Sequence, residues 1–299
     1  MRMITLGASL IELGADATIA ARDLPDSLRD LAARRGLRIV TRRAEQSDPS
    51  LAGEISTREH SAIVIDGYDV DPRAFDELMS RGERVVVIDD NAGHAGVPCS
   101  MIVNPNLHAS PEMYASSPAD PVLLLGTEYA LIRPEIRAAH VPPIRDRSGV
   151  MLSLGGTDVL DRRTEIEHHL RQIRPWTVTT AMGLIGTATT SAEEMAKALA
   201  SSRVGLIAVG TTTWEAMCLG LPIVGAVVAD NQVRVARSLQ DAGLASSFDL
   251  RVERDLSALT ATLSELHDSP DVLEERSTRG RSLVDGFGAD RVAFAVLDR

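Results

Sequence analysis

The sequence predicts an α/β protein built on parallel sheets and divided into two domains. Three observations carry that prediction. Short apolar runs alternate with helix-period segments along the whole chain. Several of those runs are near-continuous Val, Ile and Leu, as expected of parallel strands covered on both faces. The 299 residues exceed one ordinary core and suit two.

The elements read in order as follows. MRMITLGASLIELG (1–14) opens the chain on a helix: Met3, Leu6, Leu10 and Leu13 recur at spacings of three and four, and Gly14 stands where a helix stops. Strand candidates follow at ATIAA (17–21), RIVTR (38–42), AIVID (62–66), RVVVID (84–89), MIVN (101–104) and VLLLG (122–126). LPDSLRDLAARRG (24–36) reads as a polar helix between the first two. HVPPIRDRS (140–148), with its Pro-Pro pair and mixed charges, is the best linker in the chain. A second series follows at GVMLSL (149–154), WTVTT (176–180), RVGLIAV (203–209) and PIVGAVV (222–228), separated by helix patterns such as DRRTEIEHHLRQI and SAEEMAKALASS. The expected domains are therefore 1–143 and 149–299, with the last helix a candidate to return to the first. Ligands of such pairs lie in the cleft between the domains, beyond the carboxyl ends of the strands. An α/β domain normally begins on a strand; this one begins on a helix.

Composition narrows the function. The net charge is −11 and no Lys/Arg block is long enough to track a phosphate backbone, so a nucleic-acid partner is not expected. Acidity does not exclude an anionic small molecule, because local backbone dipoles override it. Cys99 and Cys218 sit in apolar surroundings and read as buried thiols in a reducing compartment. The opening MRMITLGASLIELGADA carries the parts of a signal peptide, but Glu12 interrupts its apolar stretch and the helical period is cleaner than a leader requires. No stretch approaches 18 uninterrupted apolar residues, so no membrane span is expected and the cytoplasm is the expected location.

The richest chemistry lies in VGLIAVGTTTWEAMCLGLP (204–222). A buried strand runs into Gly210, and Thr211, Thr212 and Thr213 open a helix. Exposed N–H groups at a helix start, with hydroxyls nearby, form an anion site. Glu215, one turn in, suits a vicinal diol because a carboxylate accepts from two donors. The structural alternative is a capping box between Thr212 and Glu215. Asp230, Asn231 and Gln232 end the next strand and read equally as a helix cap or as ligand contacts. Gly155 and Gly156 follow the first strand of the second domain, a junction that serves either a pyrophosphate or close helix–sheet packing. IDGYD (65–69) and VIDDN (87–91) place carboxylates at strand ends, as an acid/base or metal pair or as turn formers. No cluster has metal-ligand spacing. The adjacent His168 and His169 read as solvated.

The blocks IDGYD, VIDD (87–90), VNPNL (103–107), LLGTEYALIRPEI (124–136), LSLGGTD (152–158), GTTTWEAMCLGLP (210–222), ADNQ (229–232) and DGFGADRV (285–292) resemble the UDP-sugar hydrolases of pseudaminic acid biosynthesis. Those enzymes cleave UDP-2,4-diacetamido-2,4,6-trideoxy-β-L-altropyranose, and spore-coat polysaccharide proteins are their relatives. The resemblance implies two Rossmann-like domains in a glycosyltransferase-B-like arrangement. It implies inverting hydrolysis that releases UDP, with no metal or other cofactor. It implies phosphate contacts at Gly210, Thr211, Thr212 and Thr213, a ribose contact at Glu215, and diphosphate and sugar contacts at Asn231 and Gln232. Gly155 and Gly156 would line the cleft, with Tyr68 across it. Arg2 would close a G-x-G-H-x-x-R loop, whose histidine and preceding strand would lie before Met1, so no catalytic residue is assigned within the chain. Gly67, Val209 and Ser100 depart from the family pattern, and the segment after WTVTT is shorter than usual. Two other readings stand beside hydrolysis: a sugar transferase of the same fold, and a non-catalytic nucleotide-sugar binder. The sequence leaves UDP, CMP and the identity of the sugar open.

Overall fold

The structure, a computed structural model, describes residues 1–21, 24–41, 47–55, 61–156, 158–181 and 190–298. Arg42, Thr157 and the short segment after WTVTT lie outside the described residues. The elements run α1 (Arg2–Glu12), β1 (Thr18–Ala21), α2 (Asp26–Arg34), β2 (Arg38–Thr41), α3 (Asp48–Ile55), β3 (Ile63–Asp66), α4 (Pro72–Ser80), β4 (Val85–Ile88), β5 (Met101–Asn104), β6 (Val122–Leu125) and α5 (Pro134–Arg137). They continue as β7 (Val150–Ser153), α6 (Arg163–Ile173), β8 (Val178–Thr180), α7 (Ala192–Ser201), β9 (Val204–Ala208), α8 (Thr211–Cys218), β10 (Ile223–Val227), α9 (Val233–Asp241), β11 (Ala245–Asp249), α10 (Ser257–His267), α11 (Pro270–Leu283) and α12 (Gly288–Leu297). Every strand pairing is parallel. The α/β class with parallel sheets is therefore as the sequence predicts.

The chain divides into two compact units. Unit 1 takes Met1–Leu131 and Phe287–Arg299; unit 2 takes Ile132–Gly286. Unit 1 holds a four-stranded sheet in the order β3-β4-β5-β6 and a two-stranded sheet, β1-β2. Alternation along β4 sorts its side chains onto two faces. Val86 and Ile88 join Leu6 of α1 and Ala289, Val292, Ala293 and Val296 of α12. Val85 and Val87 join Ala52 of α3 and Ala74, Phe75 and Leu78 of α4. Unit 2 holds one five-stranded sheet in the order β11-β10-β9-β7-β8. On one face Leu152, Leu206 and Val224 pack on Ile166 and Leu170 of α6 and on Leu259 and Leu263 of α10.

β11 is the strand the sequence does not announce. Its ASSFD is an edge strand, half-buried over most of its length, so Ser replaces the Val/Ile signal of the inner strands. Both cysteines are free; Cys99 is buried and Cys218 half-buried, and burial pushes each thiol up to about 11. Among the described residues no helix is long and apolar enough to cross a membrane.

Candidate functional site

In unit 2 the strand order places β7 at the point where connections reverse direction: β8 lies on one side of it and β9, β10 and β11 on the other. At such a switch point the loops leaving adjacent strands diverge and open a crevice at the carboxyl ends. The two loops here are those after β7 and β9. Ser153, the last residue of β7, pairs in register with Ile207 of β9. The first loop carries Gly155, whose φ of +97° only glycine adopts without strain, and Gly156. The second carries Gly210, the N-cap of α8.

The start of α8 has no side-chain cap. The capping-box alternative for Thr212 and Glu215 is thereby excluded: Glu215 points elsewhere. Thr213 is fully buried; its N–H donates to Gly210 O (3.0 Å) and its hydroxyl to Ala208 O (3.4 Å). Thr211 is exposed and Thr212 half-buried, so these two hydroxyls, not three, stand at the helix start. Gln232 approaches from the end of β10. Its Oε1 accepts from Val228 N–H (2.9 Å), which leaves its Nε2 only 3.9 Å from where a Cβ on Gly210 would stand. A side-chain amide donor thus lies beside an uncapped helix N-terminus, and both favour an anion. Asp230–Gln232 form a 3-10 turn without a side-chain cap, so the cap reading of this stretch does not hold. Asp230 is fully exposed and pairs with Arg251, which also holds Asp249 at the end of β11; Asn231 is half-buried.

Glu215 is 3% exposed and bound by Arg133, which the sequence did not single out. Arg133 Nε donates to Oε1 (2.6 Å) and Nη2 to Oε2 (2.8 Å), a two-pronged pair that fixes the carboxylate one turn into α8. Burial works against the Arg133 charge, but the charge and hydrogen bonds of Glu215 outweigh it and hold the guanidinium above its ordinary pKa. The signal for Arg133 was a single arginine inside the apolar run ALIRP. Its partner lies 82 residues away, where no local pattern reaches.

In unit 1 the structure brings Arg2 and Tyr68 together on one carboxylate. Arg2, in the first turn of α1, donates from Nη2 to Asp66 Oδ1 (2.6 Å) and from Nη1 to Asp90 Oδ2 (2.5 Å). The Tyr68 hydroxyl donates to the same Asp90 oxygen (2.7 Å), and its ring is half-exposed. Asp89 is a turn former, accepting from the N–H groups of Asn91, Gly93 and His94. Among the described residues no group of His, Cys, Asp and Glu is placed to hold a metal ion.

Burial pushes the Asp90 carboxyl up, but the Arg2 charge and the hydrogen bonds from Arg2, Tyr68 and Asn106 outweigh it and leave the group below its ordinary range. Its folded pKa therefore lies under its unfolded value of about 3.9. The stabilisation is complete above that unfolded value and is lost as pH falls through the folded one. Acidification below about pH 4 will loosen the first turn of α1, read as faster amide exchange over residues 2–12. Arg2→Met will cost roughly 1.5–3 kcal/mol at neutral pH and flatten that acid response. Equal acid profiles for the two proteins would count against the ion pair.

No protein-family model and no curated protein matches the sequence. Solved structures do match. The chain is similar to the glycotransferase of kitacinnamycin, at TM-score 0.68 and 16% identity over 98% of this chain and 94% of that one. It is similar to the spinosyn forosaminyltransferase SpnP, at TM-score 0.66 and 14% identity over 99% and 96%. It is also similar to a Listeria monocytogenes protein described as a UDP-N-acetylglucosamine 2-epimerase, at TM-score 0.67 and 12% identity over 98% and 92%. These neighbours overturn the resemblance to pseudaminic acid hydrolases: they are sugar transferases and an epimerase. The motif blocks behind that resemblance sit largely at strand ends and helix starts, where the fold itself asks for Gly, Thr and Asp. At these identities the likeness concerns architecture, and on that evidence the chain has a glycosyltransferase-B-like fold of two Rossmann-like α/β units.

Proposed function

We propose that the protein transfers a sugar from a nucleoside diphosphate sugar to an acceptor, with unit 2 holding the nucleotide. Hydrolysis, the main expectation from the motifs, is set aside in favour of transfer, which the names of the neighbouring structures support. The observation that carries the reading is the uncapped α8 start beside Gln232 Nε2, at the switch point between β7 and β9. In the reaction the bond from the anomeric carbon to the diphosphate oxygen breaks, and an acceptor heteroatom bonds to that carbon and gives up its proton. The negative charge that develops on the diphosphate is what backbone N–H groups at a helix start stabilise.

In this reading Gly210, Thr211 and Thr212 receive the diphosphate, and Asn231 and Gln232 flank it. Thr213 supports the turn from beneath. Glu215, held by Arg133, keeps two lone pairs for the ribose hydroxyls. Gly155 and Gly156 allow the ligand close to the backbone. In unit 1, Tyr68 beside Asp90 is the candidate acceptor contact, and Arg2 holds the carboxylates in place.

Gly210 offers a clean test. A Cβ there meets nothing nearer than Gln232 Nε2, so a larger residue costs the fold little while filling the anion position. Gly210→Leu will leave the melting temperature within about 2 °C and weaken UDP binding at least tenfold, roughly 1.4 kcal/mol. Calorimetric titration of UDP into the full chain reads the affinity. UDP release from UDP-sugars with and without candidate acceptors separates transfer from hydrolysis. Unchanged UDP affinity in Gly210→Leu would move the nucleotide site elsewhere.

A further inference from the structure

We propose that the two sheets of unit 1 are parts of one parallel sheet, separated between β1 and β3 by a slot one strand wide, and that the slot takes an extended apolar segment running into α1. Among the described residues β1 pairs only with β2, and β3 only with β4. Two parallel strands of four residues each do not make an independently stable sheet, and parallel sheets are buried structures. The β1-β2 pair therefore belongs to something larger.

Helix α1 shows what that is, because it touches both sheets. Leu6, with Met3 and Leu10, packs in the cluster that holds Val64 of β3 and Val86 of β4. The same helix contacts β1, and its Gly7 lies against Leu37 at the entry to β2. The direction of α1 is also fixed. Its first turn is tied through Arg2 to Asp66, the last residue of β3, and to Asp90, two residues past β4. So α1 starts at the carboxyl ends of the strands and feeds β1, which starts at the opposite end. A crossover helix in a right-handed β-α-β unit has this geometry, and it follows a strand parallel to the one it feeds. The strand that α1 would follow belongs beside β1 and β3.

The backbone specifies the occupant. In a parallel ladder successive residues direct their N–H and C=O groups to opposite neighbours. Ile63 N–H donates to Arg84 O on the β4 side, so Val64 and Asp66 face the other way. Ala17 O accepts from Arg38 N–H on the β2 side, so Thr18 and Ala20 face the other way. Both edges thus offer a parallel ladder about four residues long. Ile63, Val64 and Ile65 are only half-buried, whereas β4 and β5 are buried throughout. An apolar segment on that edge would bury β3 as its neighbours are buried.

Amide exchange by NMR tests this on the 299-residue chain itself. The amides of Thr18, Ala20, Val64 and Asp66 should exchange at least about tenfold faster than those of Ile19, Ala21, Ile63 and Ile65. The chain is then extended before Met1 by a five-residue Val/Ile strand and a short glycine loop. That addition should slow the four slot-facing amides about tenfold or more and raise the melting temperature, and a Gly-Ser extension of equal length should do neither. Slot-facing amides already as protected as their neighbours in the monomer would overturn the proposal. So would their protection in a dimer detected by light scattering, because a second copy would then be the occupant. An apolar extension that protects them no better than the Gly-Ser control would overturn it too.

Discussion

Glu215→Ala will destabilise unit 2 by about 3–5 kcal/mol, the range for removing one partner of a buried ion pair. The loss comes from Arg133. At 5% exposure its guanidinium has no water to replace the two bonds to Glu215, and a buried charge is left uncompensated. Arg133→Met combined with Glu215→Leu should recover most of that stability, since two apolar groups of similar volume leave nothing unpaired. Urea unfolding of the wild type, both single variants and the double variant closes the cycle. A double variant as unstable as the sum of the singles would show that the pair is not coupled. Glu215→Gln bears on function as well as stability. Gln can serve at the third position of a capping box, but it offers Arg133 only one acceptor oxygen. Its UDP affinity must therefore be measured well below its own melting transition.

Gly288→Ala will cost about 3 kcal/mol or more, at the upper end for overpacking. Gly288 is the first residue of α12 and lies against the 3-10 turn over Thr127–Tyr129. A Cβ there would meet Ala130 O and stand 2.6 Å from Ala130 N, both backbone atoms that cannot rotate away. The helix would have to lift, and with it Ala289, Val292, Ala293 and Val296, which wall one face of the unit 1 sheet. Gly96→Ala is the control: nothing lies within 4 Å of a Cβ at that position, so its unfolding midpoint should barely move. Equal midpoints for the two variants would mean that α12 is docked more loosely than its contacts imply.

The strands were legible because burial on both faces leaves a signature, runs such as VVVI and VGLIA, that survives in one dimension. ASSFD was not, since an edge strand can afford serine. The α8 start was legible for a similar local reason: a strand, a glycine and a helix must follow in sequence to make the turn. Which threonines face outward was not. Helical phase turns Thr213 under the turn and onto Ala208 O, and three identical residues in a row carry no mark of phase. Arg133 and Arg2 belong to a third kind. Each acts through carboxylates that only the folded chain brings near, 82 residues away for Arg133 and 64 and 88 for Arg2. The motif blocks misled about the reaction because they report how a strand hands over to a helix, a step that many sugar-nucleotide enzymes share. Nothing in that hand-over names the group that attacks the sugar.

The route of the chain through the two units bears on how the protein is made. Unit 2 is a single uninterrupted stretch, 132–286, enclosed within a unit 1 that is assembled from both ends of the polypeptide. During synthesis the inner unit has all its residues before the outer one does. Until the final helix emerges, Val86, Met101 and Val103 lack the α12 side of their cluster. The nascent protein therefore carries an uncovered apolar face through the translation of more than half its length, the interval in which chaperones act and aggregation competes with folding. A premature stop within the last dozen or so codons would remove little sequence yet leave that face bare for the life of the molecule.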